Sequence, residues 1–165
     1  MITKSKSQTQ KFAVKLAKKI LKNGPGKRAH VLALSGDLGA GKTTFTQGFI
    51  KALGVKHRVT SPTFVIFRKY HLGERLKIKD SRNSLTSNLK PMTYKAVYHF
   101  DLYRIHRAKE VLALDFKKII GNPENIVLIE WPERIGKLLS KKSMRIGFEH
   151  GKKESERVIG VNILN

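Results

Sequence analysis

The chain has 165 residues, an apolar fraction of 40% and no cysteine, which favours a single folded domain over 1–165 and argues against general disorder. Without cysteine, a disulfide scaffold and any thiolate metal site are excluded. Lys and Arg number 34 against 12 Asp and Glu, so the formal net charge is +22, and a field of this size attracts polyanions such as RNA, DNA or anionic membrane.

The first half of the chain predicts a helix, a strand and a second helix. Apolar residues three and four apart predict helices over 7–22 and 43–53. Ser7 or Thr9 is expected to cap the start of the first helix. Between the two helices, the short apolar run 31–34 predicts a buried strand.

The second half alternates apolar strands with helical patterns and contains a polar, basic stretch without periodicity, at about 73–95, which predicts a long flexible insertion. This alternation favours an α/β fold with a mixed sheet and an antiparallel hairpin at its edge. The predicted elements are strands over 63–70, 97–102 and 126–129, helices over 109–120 and about 133–139, and a C-terminal hairpin from 144–150 and 157–164.

The strongest motif is GDLGAGKT at 36–43, which matches the phosphate-loop pattern G-x-x-x-x-G-K-[ST] at every fixed position. Glycines let successive N–H groups turn toward phosphate oxygens, and the following helix adds the positive end of its dipole. Lys42 is then expected to reach the β- and γ-phosphates, and the Thr43 hydroxyl to bind Mg²⁺. The strand before the loop and the helix after it favour a three-layer domain like that of P-loop NTPases over an incidental glycine-rich turn. The nucleotide-binding residues predicted here are Gly36, Asp37, Leu38, Gly39, Ala40, Gly41, Lys42, Thr43 and Thr44.

Two carboxylates follow apolar runs and are candidates for the chemistry beside the loop. Asp101 ends the run at 97–100 and Glu130 ends the run at 126–129. Parallel strands place such residues at the ligand-binding edge of an α/β sheet. One is then expected to hold Mg²⁺ through water and the other to orient or deprotonate the attacking water. The residues alone leave open which is which, and also whether either is a plain surface carboxylate.

The segment between the loop helix and the next strand reads TSPT at 60–63. Many P-loop proteins keep a mobile switch in this region, whose hydroxyl senses Mg²⁺ and the γ-phosphate, and Thr60, Ser61 and Thr63 are the candidates here. A turn fixed by proline is an equally good explanation. Trp131 is expected either to shield the site or to pack in the core, and His99 is more typical of a structural histidine than a catalytic one.

Four motifs in a fixed order identify a resemblance: GDLGAGKTTF at 36–45, SPTF at 61–64, YHFDLYR at 98–104 and IEWPERI at 129–135. Together they resemble the bacterial TsaE family, and the resemblance extends from the first helix to the final hairpin. The second pair of motifs is distinctive of that family rather than of P-loop proteins in general.

The resemblance implies an Mg²⁺-dependent ATPase that is weak alone and acts with the TsaB–TsaD pair. In that system TsaD transfers a threonylcarbamoyl group to adenosine 37 of tRNAs that read ANN codons, and ATP hydrolysis resets the complex between turnovers. The implied cofactors are ATP and Mg²⁺. The implied site residues are Lys42 for phosphate, Thr43 and Glu130 for the metal, Asp101 for hydrolysis, 60–63 for the switch, and Thr9 and Trp131 for the nucleotide pocket.

The basic insertion is longer than the hairpin usual in the family, so it is either a tRNA contact or a solvated embellishment. The high net charge likewise reflects either RNA binding or a lysine bias that only keeps the surface soluble. The polar amino terminus lacks a signal-peptide core, and no apolar run approaches the roughly 20 residues of a membrane span. The sequence therefore predicts a cytoplasmic protein without a membrane partner.

Three other functions compete with this interpretation. A small P-loop kinase would need a lid segment with paired arginines, which the sequence does not show. A GTPase would need an [NT]-K-x-D stretch to read guanine, which is also missing from the sequence. A basic RNA-binding module with an inactive P-loop would bind RNA in a salt-sensitive manner whether or not nucleotide is present.

Overall fold

The computed structural model describes residues 1–62, 65–73 and 93–162. In these residues seven strands form a single sheet with helices on both faces. The strands are β1 (Ile2–Thr3), β2 (His30–Gly36), β3 (Phe67–His71), β4 (Ala96–Asp101), β5 (Asn125–Glu130), β6 (Met144–His150) and β7 (Arg157–Asn162). The helices are α1 (Lys6–Asn23), α2 (Lys42–Ala52), α3 (Ala108–Leu112), α4 (Phe116–Gly121) and a 3₁₀ helix (Pro132–Leu138).

The centre of the sheet is parallel and its edges are antiparallel. The strand order is β1-β7-β6-β2-β5-β4-β3, in which β6, β2, β5 and β4 run parallel while β7, β1 and β3 pair antiparallel with their neighbours. Glu130 is in register with both Leu34 and Asp101. The predicted α/β fold with a mixed sheet and a C-terminal hairpin is confirmed. Both candidate carboxylates lie at the carboxyl ends of the central parallel strands, where the phosphate loop begins.

Each face of the sheet has its own apolar core. Residues alternate between the faces along each strand, so Val97 and Leu128 pack under α1 and α2, whereas Phe100 and Ile129 pack under α3, α4 and the 3₁₀ helix. This gives the three layers expected from the sequence.

Helix α1 confirms the helix predicted over 7–22, but the predicted cap was wrong. Ser5 is the cap residue, and its hydroxyl accepts a hydrogen bond from Gln8 N at 3.3 Å. Thr9 lies one turn further in, where its hydroxyl shares a 2.9 Å hydrogen bond with that of Thr3. Because Thr9 and Thr3 are both buried, this contact ties the helix to strand β1 instead of capping it.

Helices α1 and α2 approach each other closely at Gly48. A β-carbon built on Gly48 would lie 2.9 Å from Gln10 Cα, closer than non-bonded carbons pack. One turn away, the rings of Phe12 and Phe45 have centroids 5.9 Å apart. This close packing holds the first turns of α1 beside the start of α2.

The single helix predicted over 109–120 was wrong, because the chain forms two short helices there. Helix α3 ends at Leu112 and α4 begins at Phe116, because Asp115 adopts a left-handed conformation with φ of 55°. The break lets the Phe116 ring meet Phe100 edge-on, with centroids 5.4 Å apart. Tertiary packing therefore interrupts a segment whose apolar spacing predicts one continuous helix.

The strand predicted over 63–70 begins later than expected, at Phe67, since Ile66 has a φ of 63° and turns the chain. Residues 63 and 64, and most of the predicted insertion at 73–95, lie outside the described residues. Helices long and apolar enough to cross a membrane are absent from the part of the chain that the structure describes.

Tyr94 fixes the chain just before β4. Its hydroxyl donates to Gly24 O at 2.7 Å and lies 2.7 Å from His30 Nδ1. Burial raises the pKa of Tyr94 to about 12, and burial also lowers the pKa of His30. The cluster therefore joins the end of α1, the start of β2 and the approach to β4 through two groups that are held neutral.

Candidate nucleotide-binding site

The phosphate loop connects β2 to α2 and depends on its glycines. Gly36, Gly39 and Gly41 have φ of 134°, 76° and 104°, values that L-residues with a β-carbon rarely adopt. At Gly36 a β-carbon would also lie 2.1 Å from Phe148 O in the neighbouring strand. Glycine is therefore required at the first position by both backbone angle and space.

Lys42 is the buried cation of the loop. Its side-chain nitrogen donates to Gly36 O at 2.6 Å and to Asp37 O at 2.8 Å, and it lies 4.0 Å from the centroid of the Trp131 ring. Burial lowers the pKa of Lys42, while nearby carboxylates, Glu130 first among them, act in the opposite direction. The ammonium is thus held at the mouth of the loop by carbonyls and a ring face, where an entering polyphosphate would offer it stronger, charged acceptors.

Each carboxylate oxygen of Glu130 has a hydrogen-bond partner. Thr43 donates its hydroxyl to Glu130 Oε2 at 2.8 Å, and His99 Nε2 lies 2.8 Å from Glu130 Oε1. His99 Nδ1 has no hydrogen-bond partner among the described residues, so the hydrogen-bond pattern assigns the imidazole proton to Nε2, which donates to the carboxylate. The sequence interpretation of His99 as structural therefore missed its contact with a predicted metal ligand.

Asp101 is joined to the predicted switch segment. Ser61 donates its hydroxyl to Asp101 Oδ2 at 2.5 Å, and Tyr103 N donates to Asp101 Oδ1 at 3.3 Å. The Asp101 backbone N–H also donates to Ile66 O at 2.9 Å. Ser61 is therefore brought to the site as predicted, whereas Thr60 is half-buried outside the cavity lining and Thr63 lies outside the described residues.

A cavity of about 310 Å³ unites these groups, and lysine and carboxylates face each other across it. Three larger cavities, of about 950, 680 and 570 Å³, lie elsewhere on the described part of the molecule, and their lining residues include no carboxylate. Convergent chemistry, rather than size, therefore identifies the site. Its lining residues are Leu38, Gly39, Gly41, Lys42, Thr43, Thr44, Ser61, Asp101, Tyr103, Glu130 and Trp131.

Trp131 packs against the apolar core and also lines the cavity. It has a φ of 61° and donates its backbone N–H to Leu34 O at 3.2 Å. Its ring contacts both the Lys42 ammonium and the ring of Tyr103, whose centroid is 5.2 Å away. The left-handed backbone turns the side chain back over the phosphate loop directly after β5.

A second, smaller cavity of about 240 Å³ lies on the other side of the loop and is lined by Thr9 and Thr44, among others. The C-terminal hairpin contacts the phosphate loop beside this cavity. Arg157, which lines the cavity, donates from Nε to Gly39 O at 3.1 Å, and His150 Nε2 lies 3.2 Å from Leu38 O. The sequence analysis missed Arg157 and His150. The one available signal was their basic character at strand ends, which does not show which loop they touch.

The remaining residues of the predicted loop differ in side-chain exposure. The Ala40 side chain is buried in the core, whereas Asp37 and Leu38 are exposed. Such a loop presents N–H groups to a phosphate whatever the side chains are.

Comparison with known proteins agrees with this geometry. A family model described as "Threonylcarbamoyl adenosine biosynthesis protein TsaE" matches residues 3–159. The solved structure of YdiB from Bacillus subtilis superimposes with a TM-score of 0.64 at 25% identity, covering 100% of this chain and 84% of that one.

Relatives named "tRNA threonylcarbamoyladenosine biosynthesis protein TsaE" occur in several bacteria. The chain is 36% identical to that of Bacillus subtilis over 73% of its own length and 61% of the relative. It is 31% identical to that of Rickettsia felis over 90% of its own length and 71% of the relative. The family match covers nearly the whole chain, so the chain belongs to the TsaE family of tRNA threonylcarbamoyladenosine biosynthesis.

Proposed function

We propose that the chain is an Mg²⁺-dependent ATPase that works with TsaB and TsaD in forming threonylcarbamoyladenosine at position 37 of tRNAs reading ANN codons. The observation that carries the proposal is the placement of Lys42 and Thr43 opposite Glu130 and Asp101 around one cavity. These are the parts that phosphoryl transfer needs: a phosphate cradle, a metal site and a group that orients water.

The metal site would be formed by Thr43 and Glu130. The Thr43 hydroxyl oxygen and Glu130 Oε2 lie 2.8 Å apart, which supports a shared metal, because hydroxyl and carboxylate oxygens are the ligands that Mg²⁺ prefers. The described residues contain no cluster of three or more His, Asp or Glu able to hold a metal by themselves. This fits Mg²⁺, which binds such sites through one or two protein groups together with phosphate oxygens and water. When bound, it would neutralise charge on the phosphates.

Asp101 is assigned to the attacking water. Its carboxylate is buried and accepts hydrogen bonds from Ser61 and from the Tyr103 backbone, so it is fixed in place before any substrate enters. In hydrolysis, the water oxygen bonds to the γ-phosphorus while the bond to the β–γ bridging oxygen breaks, and the water proton passes to Asp101 or to solvent. Ser61 links this step to the switch segment.

Two arguments support ATP and the TsaB–TsaD partnership. The sequence lacks a guanine-reading [NT]-K-x-D stretch, which favours ATP over GTP. The names of the relatives attach them to threonylcarbamoyladenosine synthesis, although the Bacillus subtilis alignment covers 61% of that relative. In the proposed role the chain does not transfer the threonylcarbamoyl group; its hydrolysis resets the complex between rounds.

The test is ATP turnover by the purified chain, alone and with TsaB and TsaD, for the wild type, Lys42→Ala and Lys51→Ala. Lys51 is an exposed lysine in the last turn of the same helix and is the matched control. We expect turnover to rise with the partners, to fall by at least about 100-fold in Lys42→Ala and to be kept in Lys51→Ala. Equal turnover in the two variants would reject the assignment of this site.

A further inference from the structure

The charge of this chain is distributed asymmetrically. All 12 acidic residues follow position 36, so the first 36 residues contain lysine and arginine but no aspartate or glutamate. The rest of the chain carries both signs, as where Lys95 pairs with Glu124 at 2.6 Å. The nine basic residues before position 37 are Lys4, Lys6, Lys11, Lys15, Lys18, Lys19, Lys22, Lys27 and Arg28.

Four of these lysines form a stripe along α1. At 3.6 residues per turn, Lys11, Lys15, Lys18 and Lys22 fall within an arc of about 60° that extends about 17 Å along the helix axis. All four side chains are exposed. We call this set the lysine stripe.

The lysine stripe is unfavourable for the helix that carries it. Like charges three and four residues apart destabilise a helix, and the first turn of α1 has no acidic residue to complement the helix dipole. Within the described residues, none of the four lysines forms an ion pair or a side-chain hydrogen bond. A surface that the described residues leave without a counter-charge is suited to an external polyanion.

The structure favours RNA over the other polyanions. On the side of α1 opposite the stripe, Ala13, Ala17 and Ile20 are buried in the core, so that side is not available for insertion into a membrane. Lysine ammonium groups are point charges suited to a sugar–phosphate backbone. The family takes part in a modification of tRNA, so RNA is a polyanion that this chain would meet.

We propose that the lysine stripe on α1 binds the sugar–phosphate backbone of tRNA. The proposal rests on the proposed function for the identity of the RNA, but it does not depend on ATP hydrolysis. Binding through phosphates positions an RNA without reading its sequence, and it depends steeply on salt because bound phosphates release counterions.

The test is binding of a fluorescent ANN-reading tRNA transcript to the full-length chain without nucleotide, across a series of salt concentrations. One variant changes Lys11, Lys15, Lys18 and Lys22 to Gln, a residue of similar helix propensity. The control changes four exposed lysines on the opposite side of the sheet to Gln: Lys109, Lys117, Lys118 and Lys137. Both variants have a formal charge of 22 − 4 = +18, so they separate position from total charge.

We expect the stripe variant to bind tRNA about 100-fold or more weakly at ~0.1 M salt. The plot of the logarithm of the association constant against the logarithm of salt concentration should become less steep, by about 3. The control variant should stay within a few-fold of the wild type. Equal losses in the two variants, or an unchanged slope in the stripe variant, would overturn the proposal. It is also overturned if a polyglutamate peptide of matched charge displaces the tRNA at the same concentration, which would point to an acidic protein. ATP turnover of the stripe variant, measured on the same samples, shows separately whether the proposed function holds.

Discussion

Replacing His99 by Leu should uncouple a buried pair on which the candidate metal site depends. The side chains of His99 and Glu130 are 0% and 3% exposed, with 2.8 Å between Nε2 and Oε1. Removing the donor leaves a buried carboxylate oxygen unpaired, which costs about 2–4 kcal/mol. For a chain of this size each kcal/mol lowers Tm by about 2–4 °C, so we expect a decrease of about 5–15 °C.

A double-mutant cycle separates this coupling from a plain packing defect. Chemical denaturation would be measured for the wild type, His99→Leu, Glu130→Met and the double variant, with the exposed His57→Leu as the control. Because removing both partners leaves neither group unpaired, the double variant should be more stable than the sum of the single losses implies, by about 1–3 kcal/mol. Strictly additive losses would refute the reasoning that His99 holds Glu130 in place.

Three further predictions concern packing, pH and the nucleotide pocket. Gly48→Ala should lower stability by about 1–3 kcal/mol, since its β-carbon would meet the backbone of α1; Gly121→Ala, where a β-carbon has open space, is the control, and equal melting temperatures would contradict the packing argument. Burial lowers the pKa of His30, so the folded state favours neutral imidazole; stability should be complete above about pH 6.5 and decline as the pH falls below it, and urea denaturation of His30→Gln should show less of this decline. Trp131 is the one tryptophan of the chain and lies 4.0 Å from the Lys42 ammonium, so ATP with Mg²⁺ should change its fluorescence in the wild type but not in Lys42→Ala.

The phosphate loop could be predicted from the sequence because its constraints are local. Gly36, Lys42 and Thr43 follow from backbone angles and from the strand-to-helix connection within a few residues. Asp101 and Glu130 could be placed together because each ends a strand of the parallel part of the sheet. These predictions needed no knowledge of long-range packing.

What the sequence analysis missed depends on contacts between distant residues. The hydrogen bond from His99 to Glu130 requires that the two strands be adjacent and in register. Likewise, Arg157 reaches Gly39 across 118 positions of sequence. Asp115 breaks a pattern that reads as continuous helix, because Phe116 must pack against the sheet. Periodicity carries no information on which element becomes the neighbour.

The most direct test of the central claim counts modified tRNA molecules per TsaB–TsaD complex. The complex would be supplied with tRNA, ATP, Mg²⁺ and a threonylcarbamoyl donor, and with wild-type chain or Lys42→Ala. If hydrolysis at Lys42 resets the complex, the wild type should support many rounds of modification and Lys42→Ala about one. Equal product with both chains would contradict a role for ATP hydrolysis at this site.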